Sequence, residues 1–214
     1  MRYNRRMAHT GSTATLVDTL VIRRDGSATL IKGAAVLFMA ALTAAAAQIS
    51  VPLPFTAVPF TFQPTVVLLG GLALGSKLGA ASQLLYLAAG VAGLPVFAAS
   101  PVLPQGVLRL LGPTGGYLMA YPIAAFLVGY LAERGFDRRY ATSVIAMLAG
   151  LVVVYACGAA WLGYMASPMS SGTPMGLGAA LAAGVYPFVA ADLLKLLVAA
   201  GVLPALWLVL GRDR

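Results

Sequence analysis

The chain has 214 residues, 60% of them hydrophobic and 9% charged, with a mean hydropathy of +0.90 and a formal net charge of +8. Ordinary soluble domains carry roughly 25% charged residues, so this composition excludes one and calls for helices packed in lipid. A single cysteine, Cys157, excludes an internal disulfide and any thiol-built zinc or iron–sulfur site, and the positive charge is no nucleic-acid footprint because it sits at the ends of apolar runs.

Residues 1–32 read as a cytoplasmic N-terminal tail carrying Arg2, Arg5, Arg6, His9, Arg23, Arg24 and Lys32. Its stretch TLVDTLVIRRDGSATLIK mixes apolar residues with charge, a pattern suited to lying along a membrane surface. So long a charged front does not fit a cleavable signal peptide, and the first apolar run is expected to stay in the protein. Six apolar runs follow, at 33–50, 62–76, 78–92, 115–133, 140–166 and 183–211. Set against the roughly 20 residues that cross a bilayer core, they predict an all-α integral membrane domain of six transmembrane helices over 33–211, with 212–214 as a short cytoplasmic C-terminus. The second and third runs are short and joined by GSKL, which predicts a helical hairpin with its tip at Lys77.

Between the runs, SVPLPFTAVPFTFQP holds Pro52, Pro54, Pro59 and Pro64; each removes a donor and biases its predecessor to extended geometry, so this loop is ordered but not helical. A second loop, GLPVFAASPVLPQGVLRLLGPTGG, is likewise apolar and proline-rich, while the third, SPMSSGTPMGLG, is polar. Stiff apolar loops of this kind can cover a cavity. Twelve of the fourteen Lys and Arg residues fall on the side of the termini, Lys77 and Arg134–Arg139, against Arg109 alone on the other side and Lys195 within a span. The positive-inside rule then places both termini in the cytoplasm.

Asp192 and Lys195, in FVAADLLKLLVAAG, are the charged residues well inside a span, where each costs at least about 2.5 to 3.5 kcal/mol. Three residues apart, they share a helix face and can neutralise each other. They read as the polar lining of a ligand pocket, with an ion pair that only makes the helix insertable as the alternative. Arg109 breaks the charge bias; its guanidinium suits a carboxylate, or equally the outer headgroups. Gln48, Gln63, Gln83, Tyr86 and Tyr117 stand at span ends or on span faces as neutral polar candidates, for a ligand or for bonds between helices. Small residues recur at four-residue spacing in Ala40/Ala44, Ala41/Ala45 and Gly71/Gly75/Gly79, a pattern for close helix packing. GGLALGSK lacks the Lys-then-Ser/Thr order of a nucleotide loop, so no intrinsic ATP site and no other cofactor is expected. An intramembrane enzyme using Asp192 would want a second in-span carboxylate, a Ser–His or Cys–His arrangement or a metal cluster, none of which the sequence offers; a channel or scaffold is the remaining competitor.

The segments AAAAQISVPLPFTAVPFTFQ, LGGLALGSKLGAASQLLYLAAGVAGLPVF, LLGPTGGYLMAYPIAAFLVGYLAER and AAGVYPFVAADLLKLLVAA together resemble BioY, the biotin-specific S components of energy-coupling factor (ECF) transporters. The resemblance implies a six-helix domain in the prokaryotic plasma (inner) membrane that captures biotin from outside and is not an enzyme. It implies as partners a transmembrane coupling protein and a pair of ATPase subunits. Carried over to this chain, it assigns the DxxK pair Asp192 and Lys195 to the biotin ureido ring, and the ring's two N–H donors and one carbonyl suit a carboxylate and an ammonium. Arg109 is then the cation for the valerate carboxylate, Tyr86, Gln48, Gln83 and Tyr117 are further contacts, and Phe55, Phe60 and Val96 are apolar cover. Ala40 and Ala44 resemble the family's docking surface for the coupling protein. The long tail departs from the shorter N-termini typical of the family.

Overall fold

The computed structural model describes residues 15–23, 28–99, 105–166 and 174–210. Most of the expected tail, His9 included, the middle of the second and third loops, and Arg212 and Arg214 lie outside them. Apart from one two-residue ladder, the described chain is helical. A short α1 (Leu16–Arg23) precedes α2 (Ala28–Gln48), which is alanine-rich and begins five residues before the expected span, taking in Lys32. Thr15 and Asp18 cap α1 reciprocally: the Asp18 N–H donates to Thr15 Oγ1 at 3.3 Å and the Thr15 N–H to Asp18 Oδ2 at 3.4 Å. Lys32 lies 3.0 Å from Asp18 Oδ1 and ties α1 to α2. Burial raises the Asp18 pKa, but the hydrogen bonds from Lys32 and Thr15 and the Lys32 charge outweigh it and hold it below the ordinary 3.8.

The proline-rich loop is a hairpin, in which β1 (Ser50–Val51) pairs antiparallel with β2 (Phe60–Thr61), Ser50 opposite Thr61 and Val51 opposite Phe60. Then come α3 (Gln63–Leu74) and α4 (Ser76–Val91), the expected helical hairpin. Its turn is Gly75, at φ +84°, rather than Lys77, which is exposed in the first turn of α4. After α5 (Leu108–Leu111) and α6 (Gly115–Ala132), α7 (Tyr140–Trp161) continues into a π-helical turn at Leu162–Ala166. The last run is broken twice, into α8 (Leu177–Gly184), α9 (Tyr186–Ala199) and α10 (Val202–Leu210). Pro187 and Pro204 lack the N–H that would carry the helix across each break. Among the described residues, four stretches are long and apolar enough to cross a membrane: Ala28–Gln48, Gly115–Ala132, Tyr140–Met165 and Tyr186–Leu210. The α3 helix, at 12 residues, falls short of that length.

The core centres on α6, which packs against α3, α4 and α7. Small residues let the backbones touch. A Cβ on Gly71 would lie 2.7 Å from the Ala125 carbonyl oxygen, and one on Gly129 would lie 2.3 Å from the Gly75 carbonyl carbon. Glu133, just past α6, accepts the Ser76 N–H and Oγ–H through Oε1, both at 2.7 Å, which caps α4 with a carboxylate where the helix dipole favours one. The α3–α4 turn with Lys77 and the α6–α7 turn with Arg134–Arg139 therefore lie at one end of the bundle, and the β-hairpin lies at the other.

Candidate functional site

Between the β-hairpin, the loop around α5 and the neighbouring parts of α6, α7 and α9 lies a cavity of about 600 Å³. That is the size of a small-molecule site, and its wall is mostly apolar, built by residues such as Leu53, Val58, Phe97, Leu118, Val154 and Phe188. Several of the polar groups that enter the wall have an identifiable support.

Asp192 is brought there by α9, whose start after the Val185 break aims the DxxK face at the bundle. It is 6% exposed. Its Oδ1 lies 2.5 Å from Lys195 Nζ, and its Oδ2 accepts the Tyr155 hydroxyl of α7 at 2.6 Å. Lys195 also donates to the Thr61 carbonyl at 2.6 Å and stands 4.1 Å from the Phe60 ring centroid and 5.1 Å from that of Phe62. An ion pair so enclosed persists because each member has hydrogen bonds beyond the pair itself. Asp192, Tyr155 and Thr61 are in the cavity wall; Lys195 is not.

Arg109, on α5, is the second charged group of the wall, 5% exposed. Its Nη2 donates to the Ala98 carbonyl, and its Nε has no acceptor among the described residues. Burial lowers the guanidinium pKa while the nearby Tyr86 phenol oxygen works the other way. The starting value is so high that the group stays cationic at neutral pH.

The neutral candidates divide. Tyr117 is in the wall and donates to the Gly184 carbonyl at 2.9 Å. Tyr86 is one layer back: its oxygen accepts from Gln63 Nε2 at 2.6 Å, its ring meets Phe97 edge-on at 5.5 Å, and Gln63 is the one that reaches the wall. Gln83 lies between α2 and α4, donating to Thr43 at 3.2 Å and Ser82 at 3.1 Å, away from the cavity. Gln48 is exposed and donates to the Ala44 carbonyl at 3.1 Å and that of Pro95 at 3.4 Å. The expected apolar cover also shifts. Phe55 is 65% exposed, Phe60 stands over Lys195, and Phe97 rather than Val96 faces the cavity. Ala40 is buried in the core and Ala44 is half-buried against it, whereas Ala41 and Ala45, one residue on, face outward.

The BioY family model matches residues 20–212. The chain belongs to the BioY family. Over 160 residues it is 42% identical to a probable biotin transporter BioY of Pyrococcus horikoshii, covering 75% of this chain and 86% of that one. It is 38% identical over 160 residues, with the same coverage, to the biotin transporter BioY of Thermotoga maritima. Among solved structures it is similar to the crystal structure of the S-component for biotin from an ECF-type ABC transporter, with a TM-score of 0.70 at 26% identity over 83% of this chain and 91% of that one. With four stretches among the described residues long and apolar enough to cross a membrane, this BioY-family chain is a multi-pass membrane protein.

One polar wall residue that sequence reasoning missed is Tyr155, hidden in the run VVVYACGAAW. A signal was there. Tyrosines of membrane helices gather at the interfaces, and one fifteen positions past Tyr140 is deep in the span and needs a hydrogen-bond partner.

Proposed function

We infer that this chain captures biotin and imports it as the substrate-binding component of an ECF-type transporter. The observation that carries the reading is one cavity of about 600 Å³ whose apolar wall holds a structured carboxylate and a cation with a donor to spare. Asp192, with accepting capacity left beyond Lys195 and Tyr155, takes ureido N–H groups; Arg109 Nε takes the valerate carboxylate; the leucines, valines and phenylalanines cover the thiophane ring and the aliphatic tail. In this proposal Lys195 acts through Asp192, Tyr86 acts through Gln63, Tyr117 packs against the ligand, and Gln48 and Gln83 hold helices. The enzyme and channel readings have no support in the family or the site. Radiolabelled biotin binding to the purified protein in lipid nanodiscs tests the reading, and a protein that binds none refutes it.

The finer arrangement is proposed with it: six membrane helices, α3 and α4 among them, with both termini cytoplasmic and the cavity facing outward across the plasma membrane. Support comes from the packing of Glu133 on Ser76, which gathers Lys77 and Arg134–Arg139 at one end, opposite Arg109. Labelling of cysteines placed at 136 and 213 only from outside the cell would reverse this orientation. Separate coupling and ATPase subunits supply the energy, the chain having no nucleotide loop and needing no cofactor for binding. Ala40 is committed to the chain's own core, so the docking stripe moves to Ala41 and Ala45 on the free face of α2. Trp at Ala41 or Ala45 should leave biotin binding intact and abolish assembly with the coupling protein.

A further inference from the structure

The helix that carries Arg109, α5, has four residues, a single turn too short to keep its shape by its own hydrogen bonds. The aim of the arginine is therefore set by what grips the two ends of that turn. At the side-chain end the grip is the Ala98 carbonyl, which belongs to the same loop. At the backbone end it is Gly112. The Gly112 N–H closes α5 on the Arg109 carbonyl at 3.4 Å, and the Gly112 carbonyl accepts both the Gly115 N–H at 3.0 Å and the Trp161 indole N–H at 2.9 Å. Trp161 reaches this carbonyl from α7, 49 positions further along the chain.

The indole is seated as well as bonded. Helix α6 opens with Gly115 and Gly116, and a Cβ on Gly116 would lie 2.2 Å from Trp161 Cβ and 2.7 Å from the Cys157 carbonyl oxygen, so a larger residue there would push α7 away. A Cβ on Gly115 would stand 3.0 Å from Trp161 Nε1. The fit is returned from the other side, where the Tyr117 ring of α6 lies over Gly158 of α7 and a Cβ would come within 2.2 Å of Tyr117 Cε1. Each helix thus seats an aromatic ring in a glycine notch of the other. Trp161 is half-buried and outside the cavity wall, whereas Arg109 and Gly112 are in it. A tryptophan that only anchors a helix at the membrane interface turns its N–H to the headgroups. This one gives it to a backbone carbonyl three residues from the arginine.

We propose that Trp161 is a positioning residue for Arg109: its indole N–H fixes the Gly112 carbonyl, Gly112 sets the turn from which the guanidinium is presented, and selectivity for a ligand bearing a carboxylate depends on that bond. The proposal rests on the reading of Arg109 as the partner of the ligand carboxylate. Trp161 acts through Gly112 and α5, so its influence is confined to the end of the ligand that Arg109 holds.

The test uses the full chain in nanodiscs. Trp161→Phe keeps an aromatic ring in the notch and removes the N–H; replacement of Trp161 by benzothienylalanine keeps the bicyclic shape as well, with sulfur where the N–H was, and serves if the Phe variant folds poorly. Without ligand, hydrogen–deuterium exchange of the segment 108–116 should quicken in either variant while that of α3 stays as it was. With ligand, biotin affinity should fall about threefold to tenfold, the effect of one neutral hydrogen bond. Biotin methyl ester, which has no carboxylate, should keep its affinity. In an Arg109→Gln background, Trp161→Phe should cost biotin no further affinity, since the group it positions is gone. Equal losses for biotin and its ester would make Trp161 a packing residue, a full further loss in the Arg109→Gln background would show that it acts apart from Arg109, and undiminished biotin affinity would leave it nothing to position; each outcome sinks the proposal. If the unmutated protein binds no biotin, the reading of the cavity fails and the carboxylate role falls with it, while the exchange of 108–116 still decides whether the indole holds the turn. Unaltered exchange in both variants removes that hold whatever the ligand proves to be.

Discussion

Asp192 and Asp137 are built from the same parts. Each has a basic neighbour, Lys195 at 2.5 Å and Arg138 at 3.3 Å. Each accepts from an aromatic side chain, the Tyr155 hydroxyl at 2.6 Å and the Trp207 indole N–H at 2.7 Å. Each neighbouring cation lies on an aromatic face, Lys195 4.1 Å from Phe60 and Arg138 3.6 Å from Trp207. They stand at opposite ends of the bundle, since Asp137 precedes α7 and Tyr155 lies fifteen residues along it, about 22 Å at 1.5 Å per residue. What separates them is space. Asp192 borders the cavity, whereas Asp137 is fully buried, has no place in that cavity's wall and clips the α6–α7 turn to α10. A buried ion pair is therefore not by itself the mark of a binding site; in the proposed reading the same chemistry serves capture where a wall is open, while at Asp137 it fastens where the surroundings are closed.

The comparison breaks most sharply on the cavity side. Arg109→Gln should weaken biotin binding about tenfold to hundredfold, the effect of losing a charged hydrogen-bond partner. The same variant should bind biotin methyl ester, which has no carboxylate, as well as the unmodified protein does; equal losses for both ligands in a titration would move the carboxylate elsewhere in the cavity. Asp192→Asn should cost a similar factor in biotin affinity with a smaller change in melting temperature, and wild-type affinity there would make the pair structural.

At the closed end the balance inverts. Asp137→Ala leaves the Trp207 N–H and the Arg138 guanidinium without their carboxylate and should lower stability by about 1 to 3 kcal/mol, seen as a fall in melting temperature, while the folded fraction binds biotin normally. A binding defect larger than the stability defect would undo the contrast. The smallest effect is a pH dependence. Burial raises the Asp137 pKa above the ordinary 3.8, more than the Trp207 bond and the Arg138 charge lower it. The folded state then holds this proton more tightly than the unfolded state, so the contribution of Asp137 is most favourable in acid and declines as pH rises from 3.8 through the raised value, with no further change above it. Melting curves across that window should show the decline, and Asp137→Asn should flatten it.

Much of this could be read before any coordinates. Hydropathy located the apolar runs, the spacing of Asp192 and Lys195 placed them on one face, and the solitary Arg109 stood out as a candidate, for a carboxylate or for headgroups, that the structure puts in the cavity wall. What could not be read was which way a helix turns once packed. Gln83 and Gln63 are equally good candidates as residues, and only the contact of α4 with α2 sends Gln83 to Thr43 while Gln63 reaches the cavity. Likewise, periodicity cannot tell Ala40 from Ala41, because the 100° between them becomes inside and outside only when α2 docks on its neighbours. That Lys195 donates to the Thr61 carbonyl could not be read either, because nothing in the sequence brings a residue 134 positions away to its ammonium.

The Gly75 turn has a consequence for how the protein is made. The α3 helix spans about 18 Å and α4 about 24 Å, each less than the roughly 30 Å hydrocarbon thickness, so neither is a convincing membrane segment to the insertion machinery by itself. Their seat is a later product. The Gly75 backbone rests against Gly129, and the first donors of α4 are answered by Glu133, 57 residues further along the chain. A ribosome that has released α4 but not yet α6 has thus made a hairpin with an unfilled glycine face and an uncapped helix start. In the proposed six-helix arrangement its lasting placement in the bilayer awaits α6, so that the middle of this chain would enter the membrane as a cooperative unit rather than helix by helix.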